Sequence, residues 1–231
     1  MKKLYLYFVL ELCVLTMSQR TALDTSILNY IYRGYRNWLT HSHGTTNEVR
    51  MSQLRNKNNF QKEVSIHVPF PCNVTAGRSS KVPESVHHLR PGDIDVIAAM
   101  GDSLTIGAGA TSIYTFEVNI ENRGIVGSIG GQGTWRQYLT LPNILKEFNP
   151  KLVGYSLGDA VSTDPNAQLN VAEPGAMSRD MTFMATYLVN KIKDDPRVDI
   201  NKPASCGNIQ NHKYGQKTKR KHPADLIKDI T

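Results

Sequence analysis

A short apolar run that ends at a glycine constrains this chain more than any other segment. Residues 93–100 are rich in Ile, Val and Ala, and Gly101 follows them directly. An apolar run without alternation is typical of a strand covered on both faces, as in a parallel sheet. Gly101 permits a tight turn after the strand. The run therefore predicts a buried β-strand that ends in a turn.

The surrounding segments alternate between helical and extended patterns. Apolar residues at helical spacing predict helices over residues 22–39, 140–148 and 178–192. Two further apolar runs, residues 151–157 and 169–172, predict strands. Alternation of strand, loop and helix is typical of an α/β protein. The polar stretch that follows the first helix, residues 40–62, is expected to be an exposed connection.

Composition and charge place the chain among globular proteins and argue against a nucleic-acid-binding face. The chain has 231 residues, of which 40% are hydrophobic and 20% are charged. Residues 201–231 contain seven Lys or Arg and two Asp, so this tail carries +5 of the net charge of +7. The basicity is thus a property of the tail, which is poor in apolar residues and is predicted to be disordered.

The N-terminus has the pattern of a secretory signal peptide. Two lysines precede an apolar stretch, Leu4 to Val14, and small residues follow it before Gln19. We therefore expect a signal peptide over residues 1–18 and a secreted or extracellular protein. The alternative is a buried N-terminal helix, which Glu11 within the apolar stretch favours.

A glycosylation sequon and the cysteines agree with export. Asn73-Val74-Thr75 is an N-glycosylation sequon. Cys13 would leave with the signal peptide, and a disulfide between Cys72 and Cys206 is one possibility that the sequence leaves open. We expect no metal, because the cysteines and histidines lack ligand spacing and His87-His88 has the pattern of a solvated pair.

Ser103 is the candidate nucleophile. It follows the carboxyl end of the predicted strand, where α/β folds place their sites, and a helix is expected to begin beside it. Backbone N–H groups at that helix start would stabilise a developing oxyanion. Gly107 and Gly109 would let a substrate approach the backbone.

The segment Gly101-Asp102-Ser103-Leu104 resembles the first sequence block of the GDSL/SGNH hydrolase family. The similarity covers about residues 60–198 and extends to the animal phospholipase B branch of that family. The further segments that resemble this branch are Phe70-Pro71-Cys72, Val82-Pro83, Ser85-Val86-His87, Leu89 to Ile94, Arg123-Gly124, Ser128 to Gly131 and Thr140 to Pro150.

The resemblance implies a fold and a set of site residues. The fold would be an SGNH-hydrolase-like three-layer α/β/α architecture with a parallel sheet, incomplete at the C-terminus. Ser103 would be the nucleophile and would supply one oxyanion N–H, and Gly175 would supply a second, with Asp102 and Asn170 in supporting roles. Gly130-Gly131 is the alternative glycine pair. Glu173-Pro174 departs from the small, apolar residues usual before the second-block glycine.

Two further blocks of the family are absent. The chain contains neither Gly-x-Asn-Asp, which supplies an oxyanion asparagine, nor Asp-x-x-His, which supplies the general base. Cys206-Gly207-Asn208 matches the first of these only superficially. A serine hydroxyl is a poor nucleophile without a base. The other histidines are expected at the surface; they are His41, His43, His67, His87, His88, His212 and His222.

These observations predict four parts. A signal peptide spans residues 1–18, a helical and extended segment spans 19–92, a partial hydrolase domain spans 93–200, and a basic tail spans 201–231. The dividing points follow from the changes in composition and from the extent of the resemblance. The chain would thus hold the first half of the family's fold.

Two functions compete. The first is a phospholipase B-type lipid esterase that cleaves phospholipids or lysophospholipids through an acyl-Ser103 intermediate, without metal or cofactor, at a membrane surface. The second is a non-catalytic secreted glycoprotein or truncated product that retains the first half of the fold. A third hypothesis, a nucleic-acid or anionic-membrane patch at Lys217–Lys221, lacks interleaved aromatic residues. Oligomeric state and head-group preference stay open.

Overall fold

The computed structural model describes residues 27–43, 48–56 and 60–199. The predicted signal peptide and the predicted disordered tail, residues 201–231, lie outside the described residues. The same holds for residues 22–26, where the first helix was expected to begin.

Four α-helices lie in the described part of the chain. They are α1 (Ile27–His43), α2 (Glu48–Asn56), α3 (Leu141–Phe148) and α4 (Met181–Asp194). Helices α1, α3 and α4 lie where the apolar spacing predicted helices. Helix α1 continues one turn beyond the predicted end, and α4 begins after a short 3-10 turn, Ser178–Asp180.

Helix α3 begins with two residues that are typical of a helix start, a threonine cap and a proline in the first turn. Thr140 has extended backbone angles, and its side chain accepts a hydrogen bond from the Asn143 amide at 3.3 Å. This is the standard arrangement of an N-cap. Pro142 occupies the first turn, where its missing N–H has no helical partner to lose.

Helix α2 was not expected, because residues 40–62 had been predicted to form an exposed connection. Met51 and Leu54, which are three residues apart, are buried, and only 4% and 3% of their surface is exposed. Arg50 and Arg55 of the same helix bind carboxylates elsewhere in the chain, Glu117 and Glu63. Two apolar contacts and two ion pairs therefore hold a helix whose composition is otherwise polar.

Two isolated parallel bridges connect segments that were predicted as strands: Val96 pairs with Val153, and Ala99 pairs with Asn170. A third parallel bridge pairs Ser156 with Gly130, which was not predicted to lie in a strand. No continuous strand is formed within the described residues. The three-layer α/β/α fold therefore stays a prediction.

Among the described residues, the backbone pairing of residues 95–99 lies along one edge of the segment that leads to Ser103. The amide of Ile97 donates to Val153 and the amide of Ala99 donates to Leu169, each at 3.0 Å. Residues an even number of positions apart face the same edge of a strand, so these two partners lie along one edge. In the part of the chain that the structure describes, Val96 and Ala98 on the opposite edge make no backbone hydrogen bond.

Two apolar clusters flank these segments. The first contains the buried residues Ile97, Ile129, Leu145 and Leu152, and it joins α3 to the paired segments. The second joins α4 to them and contains the buried residues Leu169, Val171, Met184 and Leu188. Burial of these side chains supplies most of the free energy that holds the segments in place.

Helix α2 also fixes the loop of residues 111–119. The guanidinium of Arg50 donates to both carboxylate oxygens of Glu117 at 2.8 and 2.7 Å and to the Thr111 carbonyl at 2.6 Å. Glu117 also accepts from the amides of Ile113 and Tyr114. The Arg50 hydrogen bond, with the two amides, lowers the pKa of Glu117 from 4.5 to about 2, against the effect of burial.

We expect Glu117→Gln to lower the free energy of unfolding by about 2 kcal/mol at pH 7. The folded-state pKa of Glu117 lies below its ordinary value, so its contribution is full above about pH 5 and is lost as pH falls towards about 2. The difference between variant and wild type should therefore shrink at pH 3. Urea unfolding at both pH values measures it.

The matched control is Glu63→Gln, because the Glu63 side chain is 55% exposed and lies 3.5 Å from Arg55. That change should cost less than about 1 kcal/mol at either pH. A Glu117→Gln deficit that stayed the same at pH 3 would contradict the assignment of the pH dependence to this carboxylate.

Candidate active site

Ser103 lies on an exposed turn at the end of the segment 93–100. The amides of Thr105 and Ile106 both donate to the Asp102 carbonyl, at 3.1 and 3.2 Å. The expected helix does not begin here: the chain makes a single turn, and Gly107, with φ +65°, ends it. A residue with positive φ cannot continue a right-handed helix, so the N–H donors must come from the turn itself.

Asp102 stabilises this turn. Its Oδ1 atom accepts a hydrogen bond from the Leu104 amide at 3.0 Å. An aspartate that binds the amide two residues ahead forms a local turn of its own. Asp102 thus helps to shape the turn, and its supporting role in the site stays a prediction.

Asn170 connects the Ser103 turn to the second candidate segment. Its side chain is fully buried, and its Nδ2 donates to the Thr105 carbonyl at 3.0 Å. Its Oδ1 accepts from the Ala172 amide at 3.2 Å and from Arg123 at 3.0 Å. Asn170 thereby fixes the position of the turn relative to residues 170–172.

The segment 173–176 forms a second turn beside the first. The Glu173 amide donates to the Gly101 carbonyl at 3.1 Å, and the Ala176 amide donates back to the Glu173 carbonyl at 3.2 Å. Pro174 and Gly175, with φ +72°, occupy the two central positions. Proline followed by a glycine with positive φ is the pattern of a type II turn, so Pro174 fits this loop.

The two predicted oxyanion donors are unoccupied. Within the described residues, neither the Ser103 amide nor the Gly175 amide donates a hydrogen bond. By contrast, the Gly130 amide donates to the Val126 carbonyl and the Gly131 amide to the Ser156 carbonyl, both at 2.8 Å. The amides of Gly130 and Gly131 already donate to carbonyl groups and are not available to an oxyanion. Gly175 is therefore the better candidate of the two for the second oxyanion donor.

A buried cluster of charged side chains lies beneath the two turns. It was not predicted from the sequence. We define the ionic cluster as four nearly inaccessible side chains, Arg36, Glu121, Arg123 and Glu173. Arg123 binds the Glu121 carboxylate at 2.6 Å, and Arg36 lies 2.9 Å from Glu121 and 3.2 Å from Glu173. Glu173 also accepts a short hydrogen bond from the Ser162 hydroxyl.

Arg123 is the centre of this cluster. Besides Glu121, it donates to the backbone carbonyls of Ala160, Asn170 and Ala172, at 2.8, 3.0 and 2.7 Å. Its side chain is 0% exposed. The guanidinium therefore ties the Asn170 segment to the loop that contains Ala160, using the fixed fork of donors that only arginine offers.

The charges of the cluster balance: two arginines face two glutamates. Burial raises the pKa of Glu121, and the nearby Glu173 carboxylate acts in the same direction, while Arg123 and Arg36 oppose both. Removal of any one charge would leave another buried without compensation. The only feature of the sequence that pointed to this cluster was Glu173, a charged residue at a position where the resembling family has small, apolar residues.

No described histidine serves Ser103 as a base. The ring of His41 binds Asp164 at 3.1 Å and the Asn37 carbonyl at 2.8 Å. His43 contacts the rings of Trp38 and Phe116. The remaining described histidines are exposed and make no contact with Ser103; they are His67, His87 and His88. His212 and His222 lie outside the described residues.

The predicted modification sites lie in an exposed loop. Asn73 is exposed, and its side chain accepts a hydrogen bond from the Thr75 amide at 2.9 Å. Cys72 is exposed and makes no disulfide within the described residues. Cys206 lies outside them, so their pairing stays a prediction.

The described residues contain neither a cluster of metal-ligand side chains nor a membrane-spanning helix. Among residues 27–43, 48–56 and 60–199, no three His, Cys, Asp or Glu side chains are grouped as metal ligands would be. The helices in these ranges include none with the length and apolar character needed to cross a bilayer.

Two adjoining turns thus hold an exposed serine and two backbone amides that have no acceptor among the described residues. Sequence comparison agrees with a lipid hydrolase. The chain is 51% identical over 122 residues to "Phospholipase B1, membrane-associated" of Rattus norvegicus; the match covers 53% of this chain and 8% of the relative. The Homo sapiens protein of the same name is 47% identical over 134 residues, with 57% and 9% covered.

The Mus musculus protein of this name is 48% identical over 122 residues. These matches support a relationship to the phospholipase B family over about half of the chain. The matched region spans less than a tenth of each relative's length. No protein-family model matches the chain, and no solved structure matches it.

Proposed function

We propose that this chain is a lipid esterase of the phospholipase B type that uses Ser103 as its nucleophile. The observation that carries the proposal is the pair of unoccupied amides, of Ser103 and Gly175, on two turns joined by Asn170. The similarity to phospholipase B1 proteins supplies the substrate class, an acyl ester of a phospholipid or lysophospholipid. The GDSL/SGNH family and its three-layer fold are part of this proposal.

The reaction would proceed through an acyl-enzyme. The Ser103 hydroxyl oxygen attacks the acyl carbonyl, and the amides of Ser103 and Gly175 stabilise the negative oxygen that forms. A general base takes the Ser103 proton and gives it to the glycerol oxygen as the ester bond breaks. The acyl group stays on Ser103 until water, deprotonated by the same base, attacks it and releases the fatty acid. No described histidine is placed to serve as that base.

A second function, a non-catalytic secreted glycoprotein, is favoured by one observation. The chain contains no Asp-x-x-His, and no described histidine contacts Ser103. Such a protein would keep the two turns as a scaffold without turnover. Export through the predicted signal peptide and glycosylation at Asn73 belong to both functions.

The test is ester hydrolysis by the purified chain and by Ser103→Ala. We expect the wild type to cleave a short-chain chromogenic ester and phosphatidylcholine, and Ser103→Ala to lower kcat by about 10³-fold or more, because the nucleophile is lost. Ser128→Ala is the matched control, since Ser128 is an exposed serine in another turn. Circular dichroism confirms that the variants fold.

Two results would overturn the proposal. Activity that survives Ser103→Ala would exclude Ser103 as the nucleophile. A folded wild-type chain that cleaves neither substrate would instead establish the non-catalytic function.

A further inference from the structure

Helix α1 and the loop of residues 111–119, which we call the patch loop, share an exposed aromatic patch. We define the aromatic patch by its exposed side chains, which are Ile31, Tyr35, Trp38, Tyr114, Phe116 and Val118. Ring contacts make it continuous: Tyr35 lies 6.3 Å from Trp38, and Tyr114 stacks on Phe116 at 5.9 Å. His43 bridges the two halves, at 6.1 Å from Trp38 and 5.9 Å from Phe116.

The exposure of these side chains is unusual for their size. Trp38 is 59% exposed, Phe116 is 49% exposed and Tyr114 is 62% exposed. Single exposed apolar residues are common, but a contiguous aromatic surface marks a place where the protein meets something else.

The patch carries no exposed carboxylate. Helix α1 contains no Asp or Glu in its 17 residues. Its two arginines lie on the opposite side of the helix from Tyr35 and Trp38, and Arg36 is buried in the ionic cluster. Glu117 lies in the patch loop, but it is 2% exposed and binds Arg50. Aromatic rings on a surface without exposed carboxylates suit the headgroup region of a lipid bilayer, where tryptophan and tyrosine are enriched.

The patch also lies next to the Ser103 turn. The Ala108 amide donates to the Ser103 carbonyl at 3.0 Å, and the Gly109 amide donates to Ile120, just beyond the patch loop, at 2.8 Å. A Cβ atom added to Gly109 would lie 2.8 Å from the Cα atom of Val118. The segment that directly follows the Ser103 turn is therefore in backbone contact with the patch loop at Gly109.

From the continuity of this surface, its lack of exposed carboxylates and its aromatic composition, we propose that the aromatic patch binds the surface of a phospholipid bilayer. The inference rests on the proposed function, because an esterase for phospholipids meets its substrate in a bilayer. Trp38 and Phe116 enter the headgroup region, and the bound orientation holds the Ser103 turn close to the lipid. Leu104, which is 82% exposed beside Ser103, extends the apolar contact.

Tryptophan fluorescence tests this proposal, because the chain has two tryptophans in opposite environments. Trp38 is 59% exposed and Trp135 is 7% exposed. The full chain with Trp135→Phe and Ser103→Ala reports Trp38 alone and cannot hydrolyse through Ser103. The probe is neutral phosphatidylcholine vesicles, since the net charge of +7 would attract anionic vesicles without any patch.

We expect the vesicles to shift Trp38 emission to shorter wavelength and brominated lipids to quench it. In a vesicle co-sedimentation assay, Trp38→Ala with Phe116→Ala should weaken partitioning about tenfold or more, because two aromatic side chains are lost. Phe183→Ala is the matched control: Phe183 is 46% exposed on α4, away from the patch, and its loss should leave partitioning unchanged.

Three results would overturn the inference: no emission shift, equal weakening by Phe183→Ala, or self-association through the patch without vesicle binding. Analytical ultracentrifugation detects the last of these. Failure of the proposed function is distinguishable, since a chain that binds vesicles but hydrolyses no ester loses the catalytic proposal and keeps the lipid-binding surface.

Discussion

Arg123→Met is expected to lower the free energy of unfolding by about 4 kcal/mol, which is most of the stability of a chain at the low end of the ordinary range of about 5–15 kcal/mol. The methionine fills much of the volume but donates no hydrogen bond. Glu121 then faces Arg36 alone, and the carbonyls of Ala160 and Ala172 lose their donor in a site without water access. Urea unfolding followed by circular dichroism measures the loss.

Arg78→Met is the control for this experiment. Arg78 binds Asp95 at 2.9 Å, but both side chains are about half exposed, so its loss should cost less than about 1 kcal/mol. A double variant of Arg123→Met with Glu121→Gln should regain part of the stability, because it removes the unpaired charge. If Arg123→Met and Arg78→Met cost the same, the ionic cluster is not a structural centre.

Gly154→Ala is expected to cost about 3 kcal/mol. Gly154 has φ +96°, a conformation that residues with a side chain rarely adopt. An added Cβ would lie 2.1 Å from the Ile97 carbonyl oxygen. Since Val153 pairs with the segment that leads to Ser103, the clash would separate that segment from its neighbour. Thermal unfolding gives the magnitude.

Gly127→Ala is the matched control. A Cβ atom at Gly127 would meet no atom within 4 Å, and its φ is not in the positive range. This change should alter the free energy of unfolding by less than about 0.5 kcal/mol. Equal effects at the two glycines would show that the paired segments do not limit stability.

The local parts of the site were predictable from the sequence, because their signals lie within a few residues. The apolar run of residues 93–100, followed by Gly101, predicted an extended segment and a turn that exposes Ser103. The pattern of Thr140 and Pro142 predicted the start of α3. The helix expected after Ser103 was wrong, since Gly107 takes a positive φ and the chain turns back at that point.

The long-range parts were not predictable, because no local pattern reports them. Arg36 and Glu173 are 137 residues apart in sequence, yet they form a buried ion pair. Arg50 and Glu117 are 67 residues apart, and their pairing contributes to holding both α2 and the patch loop in place. A charged residue in a polar stretch has the same appearance in sequence whether it is solvated or buried.

The bridging role of Asn170 has a consequence for the order in which the site is assembled. Thr105 and Asn170 are 65 residues apart. At about 5–20 residues per second, Asn170 is synthesised roughly 3 to 13 seconds after Thr105. Throughout that interval the nascent chain contains the whole Gly-Asp-Ser-Leu motif and its local turn hydrogen bonds, but not the Asn170 side chain that binds the Thr105 carbonyl. The motif is synthesised early in translation, and its geometry is complete only after the second turn has been synthesised and Asn170 has bound the Thr105 carbonyl.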